Sequence, residues 1–260
     1  MMPAEIVILG SGTSMGVPTL GCACRVCTSS DPRDRRTRPS VAVRYAGHCV
    51  LIDSGPDFRQ QMLREGLTRV DAVLYTHGHA DHILGLDDLR PLSFQREEKI
   101  PLYADAATAT VLQRIFEYTF SSTNSYPFKP RVHLQPLQPV TPLFGLDFIR
   151  VPLLHGQLET SGFRFGSAAY LTDMHDIPES SYELLRDLDI LILDALRLTP
   201  HPSHANVEQA LRLAEKVRAR QTYFTHMAHE ILHAEVAATL PAGVHLAYDG
   251  LRLPLTGAPC

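Results

Sequence analysis

The sequence predicts a layered α/β sandwich with mixed β-sheets, folded as a single domain over residues 1–260. Strand-like and helix-like segments interleave along the whole chain, and the chain opens with patterns typical of antiparallel hairpins. Such an arrangement favours sheets that are covered by helices. Its 260 residues, 45% apolar and 20% charged, are ordinary for a globular protein and are enough for one large core.

The first half of the chain alternates strands and helices. EIVILGSG predicts a buried strand ending in a glycine turn, and SVAVRYAGHCVLIDSG predicts two strands around the turn AGH. FRQQMLREGL has helical spacing, VDAVLYTH is a strand entering a loop, and ILGLDDLRPL begins a helix that Pro91 stops. IPLYAD predicts a strand, AATATVLQRIFEYTF a helix, and the proline-rich residues 121–142 a loop or lid.

The second half continues the alternation. LDFIRVPLLH, GFRFG and AAYLTD predict three strands, and SYELLRDL predicts a helix. DILILDAL and QTYFTHM are strands on either side of the helix NVEQALRLAEKVRA. Asn206 precedes that helix, with Gln209 three positions on, which is a capping-box pattern.

Composition excludes several classes of function. The longest apolar runs, such as LDILILDAL, fall far short of the roughly 20 residues that span a bilayer, and no secretory leader is evident at the N-terminus. We therefore expect a cytoplasmic protein without a membrane partner. A net charge of −4 without a lysine or arginine run indicates no long nucleic acid as partner, and the local cluster DPRDRRTR is interpreted as a solvated loop.

Three of the five cysteines lie in the stretch GCACRVC. Cys22, Cys24 and Cys27 are too close together to pair with one another without strain, and a cytosolic setting disfavours disulfides. A C-x-C-x-x-C cluster needs one more ligand to form a tetrahedral zinc site. Cys49, within the strand CVLID, is interpreted as a small buried hydrophobic residue.

THGHADH is the strongest motif in the sequence. It places His77, His79, Asp81 and His82 within six residues, directly after a predicted buried strand. A loop at a strand end can turn several side chains toward one point. Imidazole and carboxylate ligands suit zinc, manganese or iron, and four of them so close can serve two adjacent metal ions.

With this H-x-H-x-D-H motif at a strand end, the sequence resembles the metallo-β-lactamase-fold hydrolases over nearly its whole length. The resemblance implies a four-layer αββα sandwich with two mixed β-sheets. It also implies further ligands at His155, Asp173 and His226, each just after an apolar strand. By this analogy one metal is held by His77, His79 and His155, the other by Asp81, His82 and His226, and Asp173 bridges them.

Asp53, in LIDSG, also stands at a predicted strand end. It resembles the family's outer aspartate, which accepts a hydrogen bond from a ligand histidine and fixes its tautomer. A plain turn residue is the alternative interpretation.

His229 is the candidate fourth ligand for the cysteine cluster, since it follows His226 by three residues in THMAHE. The combination of GCACRVC with THMAH resembles the branch that includes the carbon–phosphorus-lyase-pathway phosphodiesterase, which cleaves 5-phosphoribosyl 1,2-cyclic phosphate. In that branch three cysteines and a later histidine bind a structural zinc. The resemblance thus implies a structural-zinc loop at about residues 21–30, held by Cys22, Cys24, Cys27 and His229.

The predicted activity is that of a metal-dependent phosphoric diester hydrolase. Two divalent ions, manganese or zinc, stabilise both the entering and the leaving oxygen at phosphorus. His204, in TPHPSHANVEQAL, matches the family position that acts as general acid or transition-state donor, with His201 as the competing assignment. Asp81 is counted as catalytic as well as a ligand. The expected partner is a small phosphodiester, such as 5-phosphoribosyl 1,2-cyclic phosphate or a 2′,3′-cyclic nucleotide.

The loop GSGTSMGVPTLGC has two interpretations. Its backbone N–H groups could cradle a phosphate, with Ser11 and Thr13 contacting the substrate. Alternatively, it is a tight turn that leads into the cysteine loop.

Three other functions stay open at this point. A transfer-RNA 3′-processing nuclease shares the metal core, but it normally needs a long basic arm, and no such insertion is visible. A protein resembling pyrroloquinoline quinone B also has an N-terminal cysteine cluster; seven metal-ligand positions argue for a hydrolase instead. A metal-stabilised binding protein without catalysis is the third, and Asp173 and His204 argue against it. A homodimer is expected from family resemblance alone.

Overall fold

The computed structural model describes residues 4–121, 123 and 126–259. These residues form fourteen strands, arranged in two seven-stranded sheets. Both sheets mix parallel and antiparallel pairs, and helices cover their outer faces. The predicted four-layer αββα sandwich with two mixed sheets is confirmed.

The first sheet is built mainly from the N-terminal half. Its strands, in spatial order, are β14 (Arg252–Pro254), β1 (Glu5–Gly10), β2 (Ser40–Tyr45), β3 (His48–Ile52), β4 (Ala72–Leu74), β5 (Ile100–Ala104) and β6 (Val132–Pro136). Pairing is antiparallel from β14 to β3 and parallel from β3 to β6. The carboxyl ends of β3, β4 and β5 therefore lie at the same edge.

The second sheet is built from the C-terminal half. Its strands, in spatial order, are β13 (Val244–Leu246), β12 (Gln221–Thr225), β11 (Ile190–Asp194), β10 (Ala168–Leu171), β9 (Leu158–Phe165), β8 (Leu146–His155) and β7 (Val140–Leu143). Strands β10 to β13 are parallel, and β7 to β10 are antiparallel.

Seven α-helices lie among the described residues. They are α1 (Phe58–Arg64), α2 (Ala80–Ile83), α3 (Arg90–Phe94), α4 (Ala106–Ile115), α5 (Glu117–Phe120), α6 (Val207–Val217) and α7 (His233–Ala237). The described part of the chain contains no helix with the length and apolar character that crossing a lipid bilayer requires.

Three apolar layers hold the sandwich together. Side chains of both sheets, among them Tyr45 and Phe163, meet in the inner core. Phe58 of α1 packs on the outer face of the first sheet. On the second sheet, α6 buries residues with helical spacing, including Leu213 and Val217, against strand residues. Each fully buried leucine of this kind contributes about 1.5–3 kcal/mol relative to an exposed one.

Three expectations about elements are wrong. Pro91 lies in the first turn of α3 and does not end a helix, because the first turn has no intrahelical use for the missing N–H. SYELLRDL lies largely in a 3₁₀ helix, Glu179–Leu185. Residues 121–142 contain β6 and part of β7, so this stretch is not a single loop. Residues 122, 124 and 125 of that stretch lie outside the described residues.

Candidate functional site

The THGHADH motif lies where the chain leaves β4 at the carboxyl edge of the first sheet. Thr76 anchors this turn, because its N–H and its hydroxyl donate to the two oxygens of the buried Asp53 carboxylate, both at 2.9 Å. Helix α2 begins directly after His79. Its single turn brings Asp81 and His82 back toward the strand end.

Close backbone approach fixes the position of α2. Gly55 packs directly on the carbonyl oxygen of Asp81, and a Cβ at position 55 would overlap that oxygen. Ser54 donates its N–H to the His82 carbonyl at 2.8 Å, and Gly85 donates to the Ser54 carbonyl at 2.8 Å. The loop after β3 is thereby locked to the helix that carries Asp81 and His82.

The predicted metal ligands lie in two groups, in each of which the possible ligand atoms are within 4.8 Å of one another. The first group is His77, His79, His155 and Asp173, and the second is Asp81, His82, Asp173 and His226. Asp173 belongs to both. Its Oδ2 lies 3.1 Å from His82 Nε2, and its Oδ1 lies 3.4 Å from His226 Nε2. The fold thus brings all seven side chains to one place between the two sheets.

Three site residues have unusual backbone conformations. Asp53, Asp173 and His226 have φ of +65°, +52° and +60°, and each follows directly or closely on the end of a strand. Non-glycine residues seldom adopt this left-handed conformation, and strain of this kind concentrates at functional sites. The strand ends therefore turn sharply where the side chains must converge.

The ring nitrogens that face away from the cluster are held by neighbouring groups. His82 donates from Nδ1 to Asp53 Oδ2 at 2.7 Å, and His155 donates from Nδ1 to the carbonyl of Ser203 at 2.8 Å. His77 Nδ1 lies 3.0 Å from the Thr76 hydroxyl. These contacts leave the Nε2 lone pairs facing the cluster, which is the tautomer that metal binding requires.

The donor set fits divalent metal ions. Nε2 of His77, His82 and His226 is buried and has no hydrogen-bond partner. Buried nitrogen atoms without partners are costly, and a metal ion in each group would satisfy them. The mixture of imidazole and carboxylate is the chemistry that zinc, manganese or iron accepts.

The charges in the cluster also favour cations. Burial opposes a charge on His82, yet Asp173 and Asp53 raise its pKa well above the ordinary value. Burial likewise opposes a charge on His226, but Asp173 and Asp194 raise its pKa to about 9. The carboxylates thus favour positive charge at both rings, and a divalent ion bound on the Nε2 side would supply it.

Burial and neighbouring charges also set the pKa values of His77, Asp173 and Asp81. Burial lowers the pKa of His77, and the neighbouring charge of His82 lowers it further. For Asp173, burial alone would raise the pKa, but His226 and His82 bring it well below the usual range. For Asp81, burial is likewise outweighed, chiefly by the charge of His82, and its pKa is lowered.

His204 lies beside the cluster, between β11 and α6. Asn206 caps α6 by accepting the N–H of Gln209 at 2.9 Å, and this fixes the approach of the chain. The ring of His204 stacks on that of His226, with centroids 4.7 Å apart, and its side chain is 12% exposed. It is therefore both close to the predicted ligands and accessible from outside.

Asp194, which the sequence analysis did not single out, orients His204. Its Oδ2 accepts from His204 Nδ1 at 2.8 Å, and the carboxylate is fully buried at the end of β11. Its position at the end of the apolar run DILILD could have identified it as a site residue, since Asp53 and Asp173 also follow apolar strands. His201, the competing residue, lies with its ring centroid 5.1 Å from that of His204.

The cysteine loop and His229 form a second cluster. Sγ of Cys22, Cys24 and Cys27 lies 3.2, 3.7 and 3.4 Å from His229 Nδ1. None of the three cysteines is in a disulfide. Three thiols and one imidazole at one point match the donor set of a structural zinc site. That site and its metal stay predictions.

The first glycine loop is bound to the chain that carries His226. Thr13 donates its N–H to the Met227 carbonyl, and Met227 donates to that of Ser11. The buried Ser11 hydroxyl donates to Asp249 Oδ1 at 2.8 Å. The N–H groups of Ser11, Gly12 and Thr13 all have partners within the protein, which gives this loop an anchoring role. Substrate contact by Ser11 or Thr13 stays a prediction.

Known proteins match the chain at the level of family and of structure. A beta-lactamase superfamily domain matches residues 48–227. A crystal structure described as that of a new diphosphatase from the PhnP family is 53% identical, with a TM-score of 0.93, and the match covers 99% of this chain and 100% of that one. The Zn²⁺-bound PqqB of Methylobacterium extorquens is 23% identical with a TM-score of 0.77, covers 96% and 100% of the two chains, and shows likeness of fold alone.

A curated relative is longer than this chain. An octanoyltransferase of Porphyromonas gingivalis is 41% identical over 251 residues, which cover 95% of this chain and 50% of that protein. The chain thus spans about half the length of this relative.

Proposed function

The chain belongs to the beta-lactamase superfamily and, within it, to the PhnP family, and we propose that it is a dinuclear phosphodiesterase acting on a small cyclic phosphodiester. Metal-dependent hydrolysis is the general chemistry of this superfamily. The observation that carries the finer assignment is that Asp173 is common to two donor groups, with His204 directly beside them.

Each of the two donor groups would hold one metal ion. His77, His79 and His155 would hold one ion, Asp81, His82 and His226 the other, and Asp173 would contact both. Two divalent ions supply Lewis-acid stabilisation of charge on the phosphoryl oxygens and a nucleophile at neutral pH. Manganese and zinc both suit this donor set.

His204 supplies the proton for the leaving oxygen. Its Nδ1 proton is held by Asp194, so that Nε2 is the atom free to deliver a proton to a leaving alkoxide. Asp194 keeps the ring in this orientation, and the His226 ring stacked against it limits rotation. Geometry of this kind between a histidine and a buried carboxylate supports a general acid in this position.

The expected substrate is a small cyclic diester such as 5-phosphoribosyl 1,2-cyclic phosphate or a 2′,3′-cyclic nucleotide. Opening such a ring releases an alkoxide, a strong base that needs a proton, and His204 is placed to provide one. Membership of the PhnP family supports a phosphorus-centred reaction.

Cleavage of a diphosphate is the second candidate. It is favoured by the 53% identity, over the whole chain, to a protein described as a diphosphatase. The same donor groups would serve this reaction. A departing phosphate is a weaker base than an alkoxide, so it depends less on proton delivery by His204.

Parallel assays with 2′,3′-cyclic AMP and inorganic pyrophosphate test this proposal. We expect manganese-loaded protein to open the cyclic ester, and His204→Ala to lose that activity while it retains its metal content. Turnover of pyrophosphate alone would replace the diesterase by the diphosphatase. If protein with full metal content hydrolyses neither 2′,3′-cyclic AMP nor pyrophosphate, both the diesterase and the diphosphatase assignments are overturned.

A further inference from the structure

His201 is a histidine of the site region that the proposed mechanism does not use. It lies in the loop between β11 and α6 and is half-buried. A solvent-facing loop histidine normally has no fixed ring orientation, but His201 does.

Ser203 fixes the tautomer of His201. The Ser203 N–H donates to His201 Nδ1 at 3.3 Å, and the Ser203 hydroxyl lies 3.4 Å from the same atom. A ring nitrogen that accepts a backbone N–H carries no proton, so the proton of a neutral His201 is on Nε2. His201 therefore presents a hydrogen-bond donor on the side of the ring away from Ser203.

The same serine connects His201 to the candidate metal site. The Ser203 carbonyl accepts from Nδ1 of His155, a predicted ligand, at 2.8 Å. One residue thus holds a site histidine through its C=O and His201 through its N–H. His201 is therefore held at a fixed position relative to the cluster.

Four histidine rings form a series that runs outward from the cluster. The centroid distances are 6.2 Å from His82 to His226, 4.7 Å from His226 to His204 and 5.1 Å from His204 to His201. Side-chain exposure rises along the series from 0% and 1% to 12%, and His201 is half-buried. A substrate held at the cluster with its leaving oxygen at His204 would extend past His201.

The surroundings of His201 favour the neutral imidazole, which donates a hydrogen bond, over the charged imidazolium. Partial burial lowers its pKa, and the charges of His204 and Arg197 lower it further. Arg197 itself is bound to the loop, because its guanidinium donates to the carbonyls of Thr199 and Pro200 at 3.2 and 2.7 Å.

We propose that His201 is a substrate-positioning residue, which donates from Nε2 to an oxygen of the leaving group next to the scissile bond. The preferred substrates are then phosphoric esters whose leaving group carries an acceptor oxygen there, as a ribose does, in preference to aryl esters without one. This inference rests on the proposed function.

The test compares two substrates and three variants. Bis(p-nitrophenyl) phosphate has an aryl leaving group without a neighbouring oxygen, and 2′,3′-cyclic AMP has a ribose. His201→Ala should lower kcat/KM for 2′,3′-cyclic AMP by about tenfold, mainly through KM, and leave bis(p-nitrophenyl) phosphate nearly unchanged. His201→Gln, whose amide N–H lies near the position of Nε2, should restore most of the loss.

His245→Ala is the matched control. His245 is exposed, and its ring contacts Gln221 and Tyr223 of the second sheet. We expect wild-type kinetics from this variant. Equal losses on both substrates in His201→Ala, or no loss on either, would overturn the proposal, since a purely structural role does not discriminate between leaving groups.

Binding measurements separate this inference from the proposed function. If wild-type protein hydrolyses neither ester, the proposed function fails. The role of His201 is then decided by calorimetry with adenosine 2′-monophosphate and inorganic phosphate. Weaker binding of the nucleotide alone in His201→Ala supports it, and unchanged binding of both contradicts it.

Discussion

At the scale of single residues, three histidines of the site are held through the ring nitrogen that faces away from the cluster. His82 is held by Asp53, His155 by Ser203 and His204 by Asp194. The candidate ligand positions were predictable from the sequence because each follows an apolar strand, whereas His204 was predicted from its match to the family position. Ser203 was not predictable, because a hydrogen bond between residues of different segments leaves no local pattern, and Asp194 was overlooked although it ends an apolar strand.

The roles of His204 and Asp194 can be separated from metal binding. Replacing His204 by Ala should lower kcat for 2′,3′-cyclic AMP by about 10²–10⁴-fold, because the leaving alkoxide loses its proton donor. Asp194→Asn should have a smaller effect, about 10–100-fold, since the ring remains but is less firmly oriented. Metal content, measured by mass spectrometry, should be unchanged in His204→Ala. Full activity in that variant would remove His204 from the mechanism.

At the scale of elements, the chain from β12 to α7 connects the two clusters. His226 lies at the first cluster and His229 at the second. The fully buried Arg36 holds this segment, because its guanidinium donates to the carbonyls of Ala228 and Ile231. The element types were largely predictable because strand and helix periods differ. Pro91 misled the prediction, since proline is tolerated in a helix's first turn. The strands β13 and β14 were missed because VHL and RLP lack the continuous apolar run that identified the equally short β4.

The cysteine loop should contribute stability and no chemistry. Cys22→Ala should lower the Tm and the zinc content together, because the loop then loses one of the three thiols that would hold it, through the metal, to His229. Cys49→Ala serves as the control, since that buried thiol, whose pKa burial raises to about 12, lies outside the cluster. Unchanged Tm and zinc in Cys22→Ala would contradict the structural-zinc assignment.

At the scale of the whole molecule, the two sheets meet so that ends of β4, β8, β10 and β12 deliver the site. The sandwich was predictable from the family motif and the alternating elements. The distances between residues as far apart as His77 and His226 were not, because they depend on how the two sheets pack. That packing is set by the apolar inner core, including Phe148 and Tyr170.

A buried histidine outside the site predicts how stability changes with pH. Burial, together with the charges of Arg33 and Arg36, lowers the pKa of His233 from 6.5 to about 4 against the opposing charges of Asp31 and Asp34. The ring of Tyr248 faces that of His233, with centroids 6.2 Å apart. Between pH 6.5 and 4 the unfolded chain binds a proton at this residue and the folded chain does not. The free energy of unfolding should therefore fall as the pH drops through this window.

The size of this effect is about 2 kcal/mol, allowing for solvent screening of the nearby arginines. Urea unfolding of wild type and His233→Gln at pH 7 and pH 4.5 measures it. The difference in stability between the two proteins should shrink or reverse at the lower pH. A difference that is independent of pH would show that His233 titrates normally in the folded protein.

Two adjacent metal ions, separate from the cysteine cluster, should be needed for phosphodiester hydrolysis. The most direct measurement is a titration of chelator-treated protein with Mn²⁺, with hydrolysis of 2′,3′-cyclic AMP as the readout. We predict that activity appears only with added metal and reaches its maximum at two equivalents beyond any metal that the cysteine cluster retains. Maximal activity at one equivalent, or turnover in fully stripped protein, would rule out a dinuclear mechanism.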